Sequence, residues 1–206
     1  NIKNKRCVVI GGGKVALRKI KALLECGAEI TVVSPALDPE LTELVENRRI
    51  DHISREYELK DLKDAFMIIA ATDAVETNLK IALEARNQKF LVNVVDNLDQ
   101  SDFILPSSFR RGDLTIAVST GGMSPALSRK IRTNLEQIFG DEYAFLLSIV
   151  QEVRSELKQK GRRVSARAWQ EALNLNLLID LVRSGKQKEV KSFLLNKLEG
   201  HREKME

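Results

Sequence analysis

Histidine, cysteine and tryptophan are scarce in this chain, with two His, two Cys and one Trp among 206 residues. Cys7 and Cys26 form no Cys-x-x-Cys, which argues against an iron–sulfur cluster and against a disulfide scaffold. With only His52 and His201, no histidine-based metal cage is expected. Aromatics make up 5% of the chain and do not interleave with the basic residues, so no nucleic-acid partner is expected. No apolar run approaches the roughly 20 residues that span a bilayer, so no membrane partner is expected either. The opening NIKNKRCVVI has no signal-peptide h-region and no initiator Met. The expectation is a cytoplasmic protein with a few native residues missing ahead of Asn1.

What is present reads as a globular protein: 43% hydrophobic and 30% charged residues, with a net charge of +4. That charge is uneven. Residues 1–105 carry 15 Lys and Arg against 17 Asp and Glu, and residues 106–206 carry 18 against 12. The C-terminal part is either a basic helical surface or a region that meets a polyanionic ligand.

The first hundred residues alternate strand and helix signals. Strands are expected at 6–11, 29–34, 50–57, 65–72 and 90–95, and helices at 14–27, 39–47 and 74–88. This order predicts an α/β fold, a Rossmann-like mostly parallel sheet covered on both faces. After Pro106 two apolar stretches flank Arg110-Arg111-Gly112-Asp113 and read as a pair of short strands. A helix follows at 123–140, with Ser124 as N-cap and Pro125 at its first position. From Asp141 onward the pattern is helical, broken at Gly161, near 174–176 and at Gly185. Three segments result: 1–105, 106–140 and 141–206.

Between the first strand and first helix stands Gly11-Gly12-Gly13-Lys14-Val15-Ala16, a G-x-G-x-x-A. Gly11 permits a tight turn, Gly13 lets a pyrophosphate approach the backbone, and Ala16 lets the helix pack closely on its strand. The helix N-terminus adds N–H donors and about half a positive charge. The acidic residue that usually binds the ribose is missing, because the second strand ends Val33-Ser34-Pro35-Ala36. No Arg or Lys stands there to receive a 2′-phosphate. Ser34 and backbone groups are left to hold the ribose, which favours NAD over NADP.

Two further stretches carry chemistry. LVNVVDNLDQSDFILPS (91–107) places Asn93 inside a strand and Asp96 at its carboxyl end, where doubly wound sheets put ligands. Asp96 either caps a turn or acts as a base. A seat among Val94, Val95 and Phe103 would raise its carboxyl pKa. AVSTGGMSPALSRKIR (117–132) gives a second helix start followed by Arg129, Lys130 and Arg132. Asp73 stands where a cap for the helix at 74–88 is expected. Asp99 and Asp102 read as solvated.

GGGKVALRK (11–19), AATD (70–73), NVVD (93–96), FILPS (103–107) and STGGMSPALSRKIR (119–132) together resemble the precorrin-2 dehydrogenase / sirohydrochlorin ferrochelatase family, the siroheme synthase N-terminal module. The resemblance runs to about residue 140. It implies a Rossmann domain, a small dimerisation region and a helical C-terminal domain in a homodimer. It also implies NAD-dependent oxidation of a polycarboxylate tetrapyrrole, precorrin-2, with Fe²⁺ insertion following in some members. Alternatives are a dehydrogenase served by a separate chelatase, or a non-enzymatic NAD-sensing dimer.

By that resemblance Asp96 is the catalytic acid/base. The cofactor residues are Gly11, Gly12, Gly13, Lys14, Val15, Ser34, Pro35, Ala36, Thr72 and Asp73. The substrate residues are Asn93, Arg111, Thr120, Gly121, Gly122, Ser124, Arg129, Lys130 and Arg132. No residue is expected to bind a resident metal. The apolar stripe of Leu173, Leu177, Leu178 and Leu181 is a candidate dimer surface.

Overall fold

The computed structural model describes residues 1–200 and divides into two compact units, Asn1–Leu105 and from Pro106 onward. His201 lies outside the described residues.

In the first unit five parallel strands lie in the order β3-β2-β1-β4-β5. They are β1 (Arg6–Ile10), β2 (Glu29–Val33), β3 (Asp51–Ile53), β4 (Met67–Ala70) and β5 (Leu91–Val94). Three helices cover the sheet: α1 (Lys14–Glu25), α2 (Pro39–Glu46) and α3 (Val75–Asn87). The near-continuous apolar runs of β1 and β4 follow from this double cover, since every residue of Cys7–Ile10 and of β4 is buried. Alternation sorts them. Cys7, Val9 and Ile69 pack with Ala16, Leu17 and Ile20 of α1, while Val8, Ile10 and Ile68 pack with Ile81, Ala82 and Ala85 of α3. Burial pushes the Cys7 thiol up to about 11, so it behaves as a core hydrophobe.

The third strand is shorter than expected, and one side chain explains it. Arg55 turns to Asp61 in a two-pronged pair at 2.8 and 2.6 Å, and Asp61 also accepts the Glu58 N–H at 2.8 Å. These bonds draw the chain into a 3₁₀ turn at Leu59–Leu62 and end the strand at Ile53.

The second unit opens with an antiparallel hairpin, β6 (Ser107–Arg111) and β7 (Leu114–Val118), in register Ser107↔Val118 through Arg111↔Leu114. Five helices follow: α4 (Pro125–Ile138), α5 (Glu142–Gln159), α6 (Ala166–Ala172), α7 (Leu175–Arg183) and α8 (Gln187–Gly200). Ser124 caps α4, its Oγ accepting the Leu127 N–H at 3.2 Å. A core of Leu146, Val153, Leu157, Leu178 and Leu194 joins α5, α7 and α8. Most of the leucine stripe of α7 is consumed there. Leu178 is fully buried, Leu173 and Leu181 pack on the same core, and only Leu177 is exposed. The uncovered stripe lies instead on and before α4, at Met123, Leu127, Ile131 and Ile138.

Candidate active site

Behind the carboxyl ends of β1, β2 and β4 lies a cleft of about 530 Å³. Each glycine of the turn after β1 has its own reason to be there. Gly11 has φ +116°, and a Cβ on it would stand 2.2 Å from the Ala71 carbonyl oxygen. A Cβ on Gly12 would stand 2.1 Å from the Ala36 oxygen. One on Gly13 would meet nothing within 4 Å. The first two glycines are required by the protein itself, while the third opens on space. α1 starts immediately after, with no side-chain cap and no acidic residue in its first turn. Its leading N–H groups are therefore free to face an anion.

Eight of the ten expected cofactor residues line this cleft: Gly11, Gly12, Gly13, Ser34, Pro35, Ala36, Thr72 and Asp73. Lys14 and Val15 do not, so they reach it only through the backbone of the first turn. The Ser34 hydroxyl donates to the Ala36 oxygen at 2.7 Å, and His52 Nε2 sits 2.9 Å from the Ser34 oxygen. Ser34 therefore serves as a tie that shapes the loop, with only acceptor capacity left for a ribose.

Thr72 is fixed by Asn78, a residue the sequence reading passed over. The Thr72 hydroxyl donates to Asn78 Oδ1 at 2.8 Å, and Asn78 Nδ2 returns a bond to the Thr72 carbonyl at 2.9 Å. The expected cap by Asp73 is not formed. α3 has no side-chain cap at its start, and the Thr72 hydroxyl oxygen receives the Ala74 N–H at 3.3 Å.

Asp38, Glu56, Tyr57 and Thr77 also line the cleft. Asp38 is a carboxylate that lies beyond the end of β2. It stands before Pro39, a pattern that marks a helix cap, and Oδ1 accepts the Glu40 N–H at 3.1 Å. Burial and a 2.6 Å hydrogen bond to Glu84 raise the Tyr57 hydroxyl above its ordinary pKa, so it stays a neutral donor committed to Glu84.

Asp96 stands two residues beyond β5, exposed, in the left-handed region at φ +59°. The expected apolar seat is not found. An aspartate held at positive φ costs about 1 kcal/mol or more and is a frequent mark of a functional turn. Burial and Arg18 lower the Lys19 pKa, and the Asp96 carboxylate pulls it the other way.

Asn93 is 4% exposed; its Nδ2 donates to the Phe103 carbonyl at 2.9 Å, fastening the following segment across β5, while its Oδ1 is buried with no hydrogen-bond partner among the described residues. Asp102 is exposed, as expected, and its carboxylate also accepts the Val92 N–H at 2.9 Å. Asp99 is exposed, as expected.

In the second unit, Arg111 is already engaged. It lies 3.5 Å from Asp141, donates to the Glu136 carbonyl at 3.2 Å and stacks over Phe109 at 5.3 Å. Arg132 pairs with Glu136 at 2.5 Å. Arg129 and Lys130 are exposed and have no ion-pair partner among the described residues. The Thr120 hydroxyl bonds both the N–H and the carbonyl of Ser124 at 3.1 Å, closing a turn through Gly121 and Gly122 into α4.

Residues 1–107 match the family described as "Putative NAD(P)-binding", and residues 111–138 match "Sirohaem biosynthesis protein central". A siroheme synthase of Photobacterium profundum is 33% identical over 95% of this chain and 42% of its own length. One from Methylobacillus flagellatus is 39% identical over 77% of this chain and 34% of its own. The chain thus spans about two-fifths of these relatives at most. A solved structure titled "SirC, precorrin-2 dehydrogenase" is similar over 97% of this chain and 96% of that one, with TM-score 0.68 and 26% identity.

Proposed function

The chain belongs to the family of siroheme synthase N-terminal modules, an NAD(P)-binding domain followed by the sirohaem biosynthesis central segment, and from that premise we propose that it oxidises precorrin-2 to sirohydrochlorin with NAD. The observation that carries this reading is the likeness to a precorrin-2 dehydrogenase over both units of the chain. Siroheme synthases give the pathway, and the cleft gives the cofactor a place.

NAD fits the residues present. Gly13 leaves room for a pyrophosphate, the first turn of α1 offers unpaired N–H donors, and Asp38 offers a carboxylate oxygen for ribose hydroxyls. Bound there, NAD supplies the acceptor for the hydride. The chain's own work is to hold the macrocycle and to take the proton that leaves with that hydride. Asp96, exposed at the end of β5, is the base in this reading. Lys19 carries the positive charge that offsets it. Arg129 and Lys130 are the cations free to hold peripheral carboxylates. Arg111 and Arg132 shape that surface through Glu136.

Segment 106–140 serves dimerisation and substrate holding in this reading, and 141–206 forms a helical domain. The protein works as a cytoplasmic homodimer closed on the apolar stripe of α4. No helix among the described residues is long and apolar enough to cross a membrane. Iron enters as a substrate: chelation of Fe²⁺ by sirohydrochlorin releases two pyrrolic protons, and Asp96 is the base proposed to receive them.

The test is an anaerobic reaction of the protein with NAD and enzymatically made precorrin-2. One NADH should form for each sirohydrochlorin. NAD binding with no oxidation of precorrin-2 would favour a cofactor-sensing dimer instead.

A further inference from the structure

The helical unit holds a groove of about 590 Å³ that the dehydrogenase reading leaves unused. Its floor is apolar, built on Leu157, Val164 and Trp169, and its rim carries Arg154, Lys158 and Arg162 with no carboxylate among the lining residues. Arg154 and Lys158 are one turn apart on α5 and share a face.

The neighbouring carboxylates are all spent elsewhere. Glu156 is held by Lys160 at 2.9 Å and Lys191 at 3.4 Å, Glu199 by Lys160 at 3.0 Å, and Glu171 by Arg167 at 2.8 Å. Arg154 and Lys158 have no ion-pair partner among the described residues, and Arg162 gives one N–H to the Glu199 carbonyl at 3.3 Å. Three cations around an apolar floor attract an anion that brings its own apolar body. The half-buried indole of Trp169 offers a surface against which a flat ring can pack.

We propose that this groove binds a carboxylated tetrapyrrole, with the ring against Trp169 and Leu157 and its carboxylates on Arg154, Lys158 and Arg162. The identity of the ligand rests on the precorrin-2 reading. A macrocycle joins a flat apolar body to peripheral carboxylates, the combination that an apolar floor and a cationic rim require. An acidic peptide spreads its charges along a polar backbone and leaves the indole without a partner.

Uroporphyrin I, a stable tetrapyrrole with eight carboxylates, is the probe. Trp169 is the only tryptophan in the chain, so its fluorescence reports the titration. A tetrapyrrole bound elsewhere would also quench it by energy transfer, so charge reversal decides. Arg154→Glu/Lys158→Glu should raise the uroporphyrin Kd at least ~10-fold, the scale of one lost charge-assisted bond. The same variant should keep the wild-type far-UV circular dichroism and thermal unfolding, which shows that the helical unit is folded. Reversal of an exposed lysine that does not line the groove, Lys188→Glu, should leave the Kd within about two-fold, since surface charges beyond contact are screened. Equal affinity in the groove variant, or equal loss in the control, overturns the proposal. Precorrin-2 oxidation is assayed separately, so either reading can fail while the other stands.

Discussion

The backbone N–H of Asp38 donates to the carbonyl of Gly12 at 2.7 Å, so the start of α2 is tied directly to the glycine turn. One carboxylate oxygen of Asp38 caps the helix through the Glu40 N–H, and the side chain lines the cleft. An acidic group is thus delivered to the cleft from a helix cap rather than from the end of β2. Asp38→Ala should weaken NAD binding about tenfold, a charge-assisted bond being worth roughly 1.5–3 kcal/mol, and should cost about 1 kcal/mol of stability. Asp38→Asn should keep the cap and bind NADP relatively better, because the carboxylate that repels a 2′-phosphate is gone. Calorimetry with both nucleotides checks this. Unchanged NAD affinity in both variants would remove Asp38 from the site.

The glycines separate stability from affinity. Gly13→Val should fold within about 1 kcal/mol of wild type, since its side chain enters open space and valine is only a poor cap. NAD binding should be lost, because that space is where the pyrophosphate sits. Gly12→Ala should cost ~1–3 kcal/mol, its Cβ being driven onto the Ala36 carbonyl. Urea unfolding beside NAD calorimetry distinguishes the two. A Gly13→Val protein that binds NAD normally would move the cofactor elsewhere.

A pH effect follows from Asp61. The Arg55 guanidinium, with a lesser bond from the Glu58 N–H, holds the Asp61 carboxyl below the usual carboxylate range. A depressed folded-state pKa contributes stability above the unfolded value, near 3.9, and loses it as pH falls through the folded value. Wild type should therefore exceed Asp61→Asn in melting temperature at about pH 7, and the gap should narrow as pH falls below ~4. A gap independent of pH would assign the effect to packing alone.

These residues also mark what could be read from sequence. The change from a period of 2 to a period of 3.6 at Gly11 places β1, the turn and α1, because the local pattern and the packing demand the same thing. Asp38 escaped because the ribose carboxylate was sought at the strand's end, although Asp before Pro is a legible cap. Asn93 was legible as a polar residue in a buried strand, whereas its tie to the following segment was not. Its partner Phe103 lies ten residues on, a pairing only the fold creates. Asp102 reaching back to Val92 was hidden in the same way. Arg111 read as a ligand contact since charge is visible in sequence, whereas its engagement by Glu136 and Asp141 is not.

In the proposed homodimer, the exposed face of α4 is a better candidate surface than the leucines of α7. Leu178 and its neighbours are buried within their own unit, while Leu127 and Ile131, one turn apart, remain 52% and 37% exposed on α4. Leu127→Asp/Ile131→Asp should convert a dimer to a monomer at micromolar concentration, with little change in unfolding free energy of the isolated chain. Sedimentation equilibrium measures it. A dimer that survives both charges closes on another surface.

Asp96 carries the sharpest prediction, because one carboxylate is asked to serve two reactions. Oxidation removes a hydride and a proton from the macrocycle, and chelation removes two pyrrolic protons as Fe²⁺ enters. Both need a base beside the ring. Asp73 is a weaker candidate, since it lies within the nucleotide cleft. Asp102 is a weaker candidate too, since one of its oxygens accepts the Val92 N–H. Asp96→Ala should lose at least ~10²-fold in dehydrogenase rate, the low end for a lost general base, with NAD affinity unchanged. Wild type should also accelerate Fe²⁺ or Co²⁺ insertion into sirohydrochlorin, and the variant should not. Relief of the left-handed strain is the alternative source of any rate change, and Asp96→Asn tests it. Asparagine tolerates the same backbone but holds no proton, so it should be as slow as alanine. Near-normal oxidation by Asp96→Asn would leave the turn important and the carboxylate idle. Metal insertion no faster than the uncatalysed rate would confine Asp96 to the oxidation.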